Sequence, residues 1–104
     1  MFVPGIEEFR AQQYAEAFPL LLDAAHEGHA EAQCMVGNMY QLGLGEVDVD
    51  EIQAIHWYYH AANQGYSAAT SNLAGMLWPI SREAAIALNQ LAQQQSYQPE
   101  ANAS

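Results

Sequence analysis

Two stretches of this chain place their hydrophobic residues on one face of a helix. In each stretch the apolar positions follow the spacing i, i+3, i+4, i+7 and i+8, which is typical of an amphipathic α-helix. The first stretch carries Ala17, Leu20, Leu21, Ala24 and Ala25, and the second carries Ala54, Trp57, Tyr58, Ala61 and Ala62. Pro19 lies within the first stretch, and it predicts a kink or a frayed first turn in that helix.

The same periodicity predicts four further helices, over residues 4–11, 30–42, 67–78 and 82–95. The first of these has the weakest pattern. The helix over residues 30–42 has the inward face Ala32, Met35, Val36, Met39 and Tyr40. The helix over residues 82–95 has the inward face Ala84, Ala85, Leu88, Leu91 and Ala92. The chain is therefore expected to be helical over most of its length.

Polar and glycine residues mark where these helices begin and end. Asp50 with Gln53 three residues later resembles a capping box at the start of the helix that contains Trp57. Ser81 is placed to cap the last helix. Gly28 and Gly65 each follow an amphipathic stretch, where glycine suits the left-handed position that closes a helix.

The two amphipathic stretches are also copies of one unit. At an offset of 37 residues, Ala24–Ala25 aligns with Ala61–Ala62 and Gly28 aligns with Gly65. A fixed period of about 20–50 residues indicates stacked supersecondary units. We therefore predict an all-α fold, a short α-solenoid of about three antiparallel helical hairpins with six helices. Residues 1–95 form this helical domain, and residues 96–104 are predicted to be a flexible C-terminal tail.

The middle of the chain resembles the repeat unit of a known family. The residues that carry the resemblance are Ala32, Val36, Gly37, Tyr40, Gly43, Gly45, Val47, Asp50, Ala54, Trp57, Tyr58, Ala61, Ala62, Gln64 and Gly65. They resemble the Sel-like repeat family, relatives of the tetratricopeptide repeats, with Glu46 as one extra residue and Gln53 where the family has Lys. The resemblance covers about residues 9–95. It implies an α-solenoid that binds proteins or peptides, often as an adaptor in bacterial signalling or envelope processes, and that is not an enzyme.

The resemblance also indicates where a partner would bind. In tetratricopeptide-like stacks the first helix of each hairpin lines the concave side. The positions of the 30–42 and 67–78 helices that avoid the core stripe, here called the concave strip, are Glu31, Cys34, Asn38, Gln41, Ser71, Gly75 and Trp78. An exposed Trp suits a peptide groove, because tryptophan is enriched at binding hot spots. The alternative is that Trp78 packs beneath the last helix.

Charge narrows the class of partner. The 104-residue chain has two basic residues, Arg10 and Arg82, against twelve acidic ones, and its formal net charge is −10. Binding to nucleic acid requires several Lys or Arg side chains, and an anionic membrane would repel this protein. A basic protein or peptide would be attracted. The leading hypothesis is a protein–protein interaction module with a basic partner. The alternative is an acidic inhibitor or immunity protein that neutralises a toxin or enzyme, and a homodimer through the open ends of the solenoid is a further possibility.

Motifs for catalysis or metal binding are weak. His26 and His29 flank Glu27, but their spacing is one residue too short for the helical zinc-protease motif. His56 and His60 are four residues apart and could share a metal. No acidic or cysteine ligand lies at matching spacing, however, and a solvated helix face is the favoured interpretation. We predict no catalytic residue, no metal and no cofactor.

Cysteine usage and hydropathy bear on the cellular compartment. Cys34 is the single cysteine, so no internal disulfide is possible and nothing marks an oxidising compartment. The N-terminal sequence shows no pattern of a signal peptide, and no apolar run of 18 residues is present. A cytoplasmic location is therefore expected.

Overall fold

The computed structural model describes residues 2–96 and confirms the predicted all-α fold. Its helices are α1 (Ile6–Arg10), α2 (Tyr14–His26), α3 (Ala30–Leu42), α4 (Glu51–Asn63), α5 (Ser67–Leu77) and α6 (Arg82–Ser96). Each helix packs on the next along the chain, from α1 on α2 to α5 on α6, as in a short helical solenoid of three hairpins. No strand occurs within residues 2–96. The proposed tail begins at Ser96, the last residue of α6, and its remainder, residues 97–104, lies outside the described residues.

The residues predicted to cap or close helices do so in the structure, although α1 spans Ile6–Arg10 and not residues 4–11. Only one bond of the Asp50–Gln53 capping box forms, because the Asp50 N–H donates to Tyr40 O. The Gln53 N–H donates to Asp50 Oδ1 at 3.1 Å, and the Ala84 N–H donates to Ser81 Oγ at 3.2 Å. Gly28 and Gly65 have φ values of 100° and 91°, the left-handed conformation that glycine adopts without strain. These contacts fix where α2 and α4 end and where α4 and α6 begin.

The two copies of the repeat close their helices in the same way. The His29 N–H donates to Ala24 O at 3.1 Å, and the Tyr66 N–H donates to Ala61 O at 3.2 Å. Each bond spans the glycine that ends the helix, which is the Schellman arrangement. The two donors are 37 residues apart in the sequence, and so are the two acceptors. The repeat in the sequence is therefore also a repeat of hydrogen bonds.

A second repeated contact lies between the hairpins. The side-chain amide of Gln33 donates to Ala25 O at 3.1 Å, and that of Gln95 donates to Ala62 O at 3.1 Å. Ala25 and Ala62 are equivalent residues of the repeat. Each of these carbonyls also accepts from the backbone N–H of the glycine that closes its helix, at 3.0 Å for Ala25 and 2.9 Å for Ala62. A glutamine from the neighbouring hairpin therefore gives the same carbonyl group a second donor near the end of α2 and of α4.

The core consists of two apolar clusters that meet along α3. One cluster joins α1, α2 and α3 with Trp57, and the other joins α3, α4 and α5 with Leu88 of α6. Most predicted inward residues are buried, but Leu20 and Leu91 are exposed, so their assignment to the core was wrong. Leu20 is exposed because α1 is only five residues long and covers little of α2. Leu91 is exposed because α6 packs mainly on α5 and buries only the face that meets it.

Pro19 does not interrupt its helix. Helix α2 runs continuously from Tyr14 to His26, and the Ala17 N–H donates to Gln13 O at 2.9 Å in an intact first turn. Of the two predicted alternatives, the frayed first turn was therefore wrong, whereas the kink stays a prediction. Pro19 lacks the N–H that would bond to the carbonyl of Ala15. Both residues are exposed, so water can satisfy that carbonyl.

Within residues 2–96, none of the helices has the length and hydrophobicity that crossing a bilayer requires.

Candidate functional site

The concave strip is divided between α3 and α5. Helix α3 carries Glu31, Cys34, Asn38 and Gln41, whereas α5 carries Ser71 and Gly75 and ends next to Trp78. The two halves differ in exposure. The α5 half is exposed, whereas the α3 half is buried or partly buried. They therefore offer different surfaces to a partner.

The α3 half takes part in a polar cluster inside the hairpin stack. The Tyr58 hydroxyl from α4 lies 2.5 Å from Asn38 Oδ1 and 2.7 Å from Gln41 Oε1. Because a phenol has one proton, it can donate to only one of these oxygens at a time. From α5, the Asn72 amide donates to Asn38 Oδ1 at 3.3 Å and approaches Cys34 Sγ at 3.7 Å. Asn38, Gln41 and Cys34 thus connect three helices.

Burial raises the pKa of two groups in this cluster. It raises the pKa of the Cys34 thiol to about 11, against an opposing hydrogen bond from Asn72. Burial likewise raises the pKa of the Tyr58 hydroxyl above its ordinary value. Both groups are therefore neutral near pH 7, so the cluster offers hydrogen bonds and no charge.

Sequence reasoning missed the part that Tyr58 and Asn72 play in this cluster. The helical spacing places Tyr58 in the core as an aromatic residue and does not reveal the hydrogen bonds of its hydroxyl. Asn72 occupies the position that Met35 has in the preceding unit, 37 residues earlier. A polar residue at an apolar position of the repeat was the signal that could have identified it.

The α5 half is open to solvent. An added Cβ at Gly75 would meet no atom within 4 Å, and Ser71 is exposed. Trp78 is 46% exposed, so it is not simply covered by α6. The Arg82 guanidinium carbon lies 5.4 Å from the centre of the Trp78 ring, a cation–π arrangement that occupies one part of the indole surface.

Glu31, the remaining member of the strip, forms an ion pair. Its carboxylate lies 3.3 Å from Arg10 Nη2, which links α1 to the first turn of α3. This is the only salt bridge within residues 2–96. The other carboxylates of that span therefore lack a basic partner of their own.

Three histidines surround Trp57 in a groove of about 230 Å³ between α2 and α4. The ring centres of His26, His56 and His60 lie 5.0, 5.1 and 6.1 Å from the ring of Trp57. His56 and His60 are 4.5 Å apart, as their spacing in sequence suggested. His26 joins them only through the packing of α2 beside α4. No group of three or more His, Cys, Asp or Glu residues within the described span has a geometry suited to a metal ion.

Comparison with known proteins agrees with this architecture. Residues 30–66, which comprise α3, its acidic connection and α4, match the Sel1 repeat. Chitin synthase regulatory factor 3 of Schizosaccharomyces pombe is 38% identical to this chain over 58 residues. Those residues are 56% of this chain but only 6% of the yeast protein, so the chain spans a small part of that relative.

The match places the family's repeat on the part of the chain where the sequence resemblance was strongest. Sel1 repeats are helical repeats related to tetratricopeptide repeats, and they are in general non-catalytic protein-interaction modules. The helices and the glycine-closed ends agree with this match, which identifies a Sel1 repeat at residues 30–66 of the chain.

Proposed function

We propose that this protein binds a basic protein or peptide through the surface of its helical repeat. The observation that carries the proposal is an excess of exposed, uncompensated carboxylates on a fold that serves protein interaction. The exposed acidic residues are Glu7, Glu16, Asp23, Glu27, Glu46, Asp48, Asp50, Glu51 and Glu83. The two cations are already engaged, Arg10 with Glu31 and Arg82 with the ring of Trp78.

This charge acts mainly on the rate of association. Carboxylates of one sign attract a basic partner over a distance set by screening, about 8 Å at physiological salt and about 3 Å at 1 M. Such attraction speeds encounter and favours partners of opposite charge. It does not by itself hold the complex together, so short-range contacts are also required.

The exposed half of the concave strip supports such contacts. Trp78 presents a half-exposed indole beside Ser71 and Gly75, and tryptophan is enriched among the residues that dominate binding energy. Because Gly75 has no side chain and no close neighbour, a partner's backbone can approach α5 there. In this proposal Trp78 is a short-range anchor that slows dissociation.

The yeast relative is named a regulatory factor of chitin synthase, and a regulatory role is compatible with a protein that binds partners. Its regulated enzyme is not carried over to this chain, which matches only 6% of that relative. An acidic inhibitor or immunity protein is the alternative function. It is favoured by one observation: four of the exposed carboxylates, Glu46, Asp48, Asp50 and Glu51, are concentrated within one short segment.

The test begins with affinity capture from the native host at low salt, followed by purification of the captured partner. Association and dissociation rates are then measured between about 50 mM and about 1 M salt. We expect association to slow steeply with salt and Trp78→Ala to accelerate dissociation. Tyr59→Ala, which removes an exposed aromatic residue of α4 outside the strip, is the matched control.

Two results would contradict the proposal. An association rate that does not change across the salt series would contradict the proposal that the partner is basic. A Trp78→Ala variant that dissociates at the same rate as the parent would contradict the proposal that the concave strip anchors the partner. Loss of a toxin's or enzyme's activity in the complex would favour the inhibitor over the adaptor.

A further inference from the structure

Exposed apolar side chains collect at one edge of the helical stack. This edge is formed by the connection between α3 and α4 and by the connection between α5 and α6. Consecutive helices pack against each other through short connections, so the end of α3, the start of α4, the end of α5 and the start of α6 lie at the same edge. The apolar residues there, called the edge surface, are Leu42, Val49, Ile52 and Ile80, which are 64%, 61%, 80% and 73% exposed.

The connection that carries this surface is held in place by its backbone. The Asp50 N–H donates to Tyr40 O at 2.9 Å, and the Leu44 N–H donates to Met39 O at 3.1 Å. Val49 lies over Gly43, where an added Cβ would come 2.9 Å from Val49 Cγ2. Val49 therefore stands beside Leu42 at the end of α3, and both are displayed from a fixed scaffold.

The same connection packs on the start of α2. A Cβ at Gly45 would lie 2.5 Å from the carbonyl carbon of Tyr14 and 2.7 Å from the amide nitrogen of Ala15. This contact brings Glu46 to the first turn of α2, which contains Glu16. The connection thus extends one acidic border across the starts of α2 and α4.

Carboxylates border the apolar side chains. Glu46, Asp48, Asp50 and Glu51 are exposed on the α3–α4 connection and the first residue of α4, and Glu83 is exposed in the first turn of α6. The cation in this region is Arg82, which stacks on Trp78. Apolar side chains surrounded by unpaired negative charge are complementary to a segment that is apolar on one side and basic around it.

The open end of the stack has a different character. A groove of about 400 Å³ between α5 and α6 is lined mainly by polar residues: Ser67, Ser71, Asn89, Gln93 and Ser96, with Ala68 and Ala92. In the preceding hairpin, the equivalent positions Ala30 and Cys34 pack in the apolar cluster that α3 forms with α4 and α5. Because serines replace those apolar residues at Ser67 and Ser71, this end lacks the anchors that the edge surface has.

We infer that the edge surface docks a basic amphipathic segment of a partner protein. Its apolar side chains cover Leu42, Val49, Ile52 and Ile80, and its Lys or Arg side chains face the bordering carboxylates. A second copy of this chain would bring like charges together, and an anionic membrane would be repelled for the same reason. The inference rests on the proposed basic partner and adds a contact at this edge to the one proposed for the exposed half of the concave strip.

The test uses a fluorescent synthetic helix of about 18 residues, built from Leu on one face and Lys on the other. A second peptide with Glu in place of Lys is the charge control. The edge variant Val49→Ser/Ile52→Ser is compared with Phe2→Ser/Tyr59→Ser, which removes two similarly exposed apolar side chains elsewhere. We expect the edge variant to bind the Lys peptide at least about tenfold more weakly, with the control within about twofold of the parent.

Two double variants, each of which removes two negative charges, distinguish local recognition from the effect of net charge. Glu46→Gln/Asp48→Asn and Asp23→Asn/Glu27→Gln change the net charge equally, but the second pair lies at the opposite end of α2. We expect the first pair to weaken binding several-fold more than the second. Equal effects of the two pairs, or equal effects of the two apolar variants, would overturn the inference. All of these side chains are exposed, and thermal melting followed by circular dichroism checks that each variant folds.

Amide chemical-shift mapping with the Lys peptide locates the contact independently. Changes centred on residues 42–52 and 79–83 support the inference. Changes confined to Ser71, Gly75 and their neighbours would overturn it and leave the proposed function standing. Self-association that Val49→Ser/Ile52→Ser abolishes would assign the edge to a second copy instead. A captured partner whose association does not depend on salt would contradict the proposed function as well.

Discussion

The aromatic ring of Tyr58 lies directly against the backbone of Gly37. A Cβ atom added at residue 37 would stand 2.6 Å from Tyr58 Cε1 and 2.7 Å from Cδ1, closer than carbon atoms approach in folded proteins. Tyr58 is fully buried, so its ring has no free space in which to move away. This contact sets the distance between α3 and α4, the two helices of the matched repeat.

We therefore predict that Gly37→Ala destabilises the protein. The overpacking should cost about 1–3 kcal/mol, even though alanine is the better helix former. Gly75→Ala is the matched control, because Gly75 also lies within a helix but has no atom within 4 Å of an added Cβ. That variant should gain about 0.5–1 kcal/mol from helix propensity alone. Urea unfolding followed by circular dichroism measures both changes, and the same sign for the two would contradict the packing argument.

Trp57 is predicted to anchor the boundary between the first two hairpins. It is buried in the cluster of α1, α2 and α3 although it belongs to α4, and its indole contacts the ring of His26. Trp57→Ala should lower the free energy of unfolding by about 3–5 kcal/mol. Trp78→Ala removes the other tryptophan from a half-exposed position and should cost much less. A loss below about 1 kcal/mol for Trp57→Ala in a urea titration would be incompatible with its burial.

The sequence predicts best those features that depend on local chemistry. The bounds of α3 and the roles of Asp50, Ser81, Gly28 and Gly65 follow from hydrogen bonds between residues close together in the chain, so they could be predicted without knowing the neighbours. The fold class followed from the repeat. The exposure of Leu20 depends instead on how short α1 is, which its weak pattern did not reveal.

The candidate site was harder to predict, because its character depends on tertiary neighbours. Helical spacing placed Cys34, Asn38 and Gln41 away from the main apolar stripe of α3, which suggested an open surface. Helix α3 lies between α2 on one side and α4 on the other, so it is covered on more than one face. The hydroxyl of Tyr58 and the amide of Asn72 then make these residues part of an internal network. Their role in binding stays a prediction.

The Asp50 cap offers a test of the start of α4. Asp50→Ala removes the acceptor of the Gln53 N–H and should cost about 1 kcal/mol of stability. Asp48→Ala removes the same charge from an exposed loop position two residues earlier, so the difference between the variants isolates the cap. Urea unfolding of the two proteins measures that difference. Equal stabilities would mean that the bond to Gln53 contributes nothing measurable.

Cys34 is predicted to react slowly in the native protein. Burial raises the pKa of its thiol from 9.0 to about 11, with a hydrogen bond from Asn72 acting in the opposite direction. The thiolate is the reactive form, and a pKa increase of this size lowers its fraction at pH 8 about a hundredfold. Burial also blocks access of the reagent. Reaction with a disulfide reagent at pH 8 should therefore be at least about a hundredfold slower in buffer than in denaturant. Similar rates in the two conditions would contradict the burial of Cys34.

The same pKa makes the stability of the fold sensitive to alkaline pH. Because the pKa of Cys34 is higher in the folded than in the unfolded state, the folded protein holds the proton that the unfolded chain releases above pH 9.0. The contribution of the neutral thiol is therefore fully present below pH 9.0 and is lost as the pH rises towards about 11. Cys34→Ala should lose less stability than the parent when urea unfolding is compared at pH 8 and pH 11. Part of the loss should remain in this variant, because the pKa of Tyr58 is raised in the same direction by burial. Identical pH profiles for the parent and Cys34→Ala would show that the thiol does not titrate differently in the folded and unfolded states.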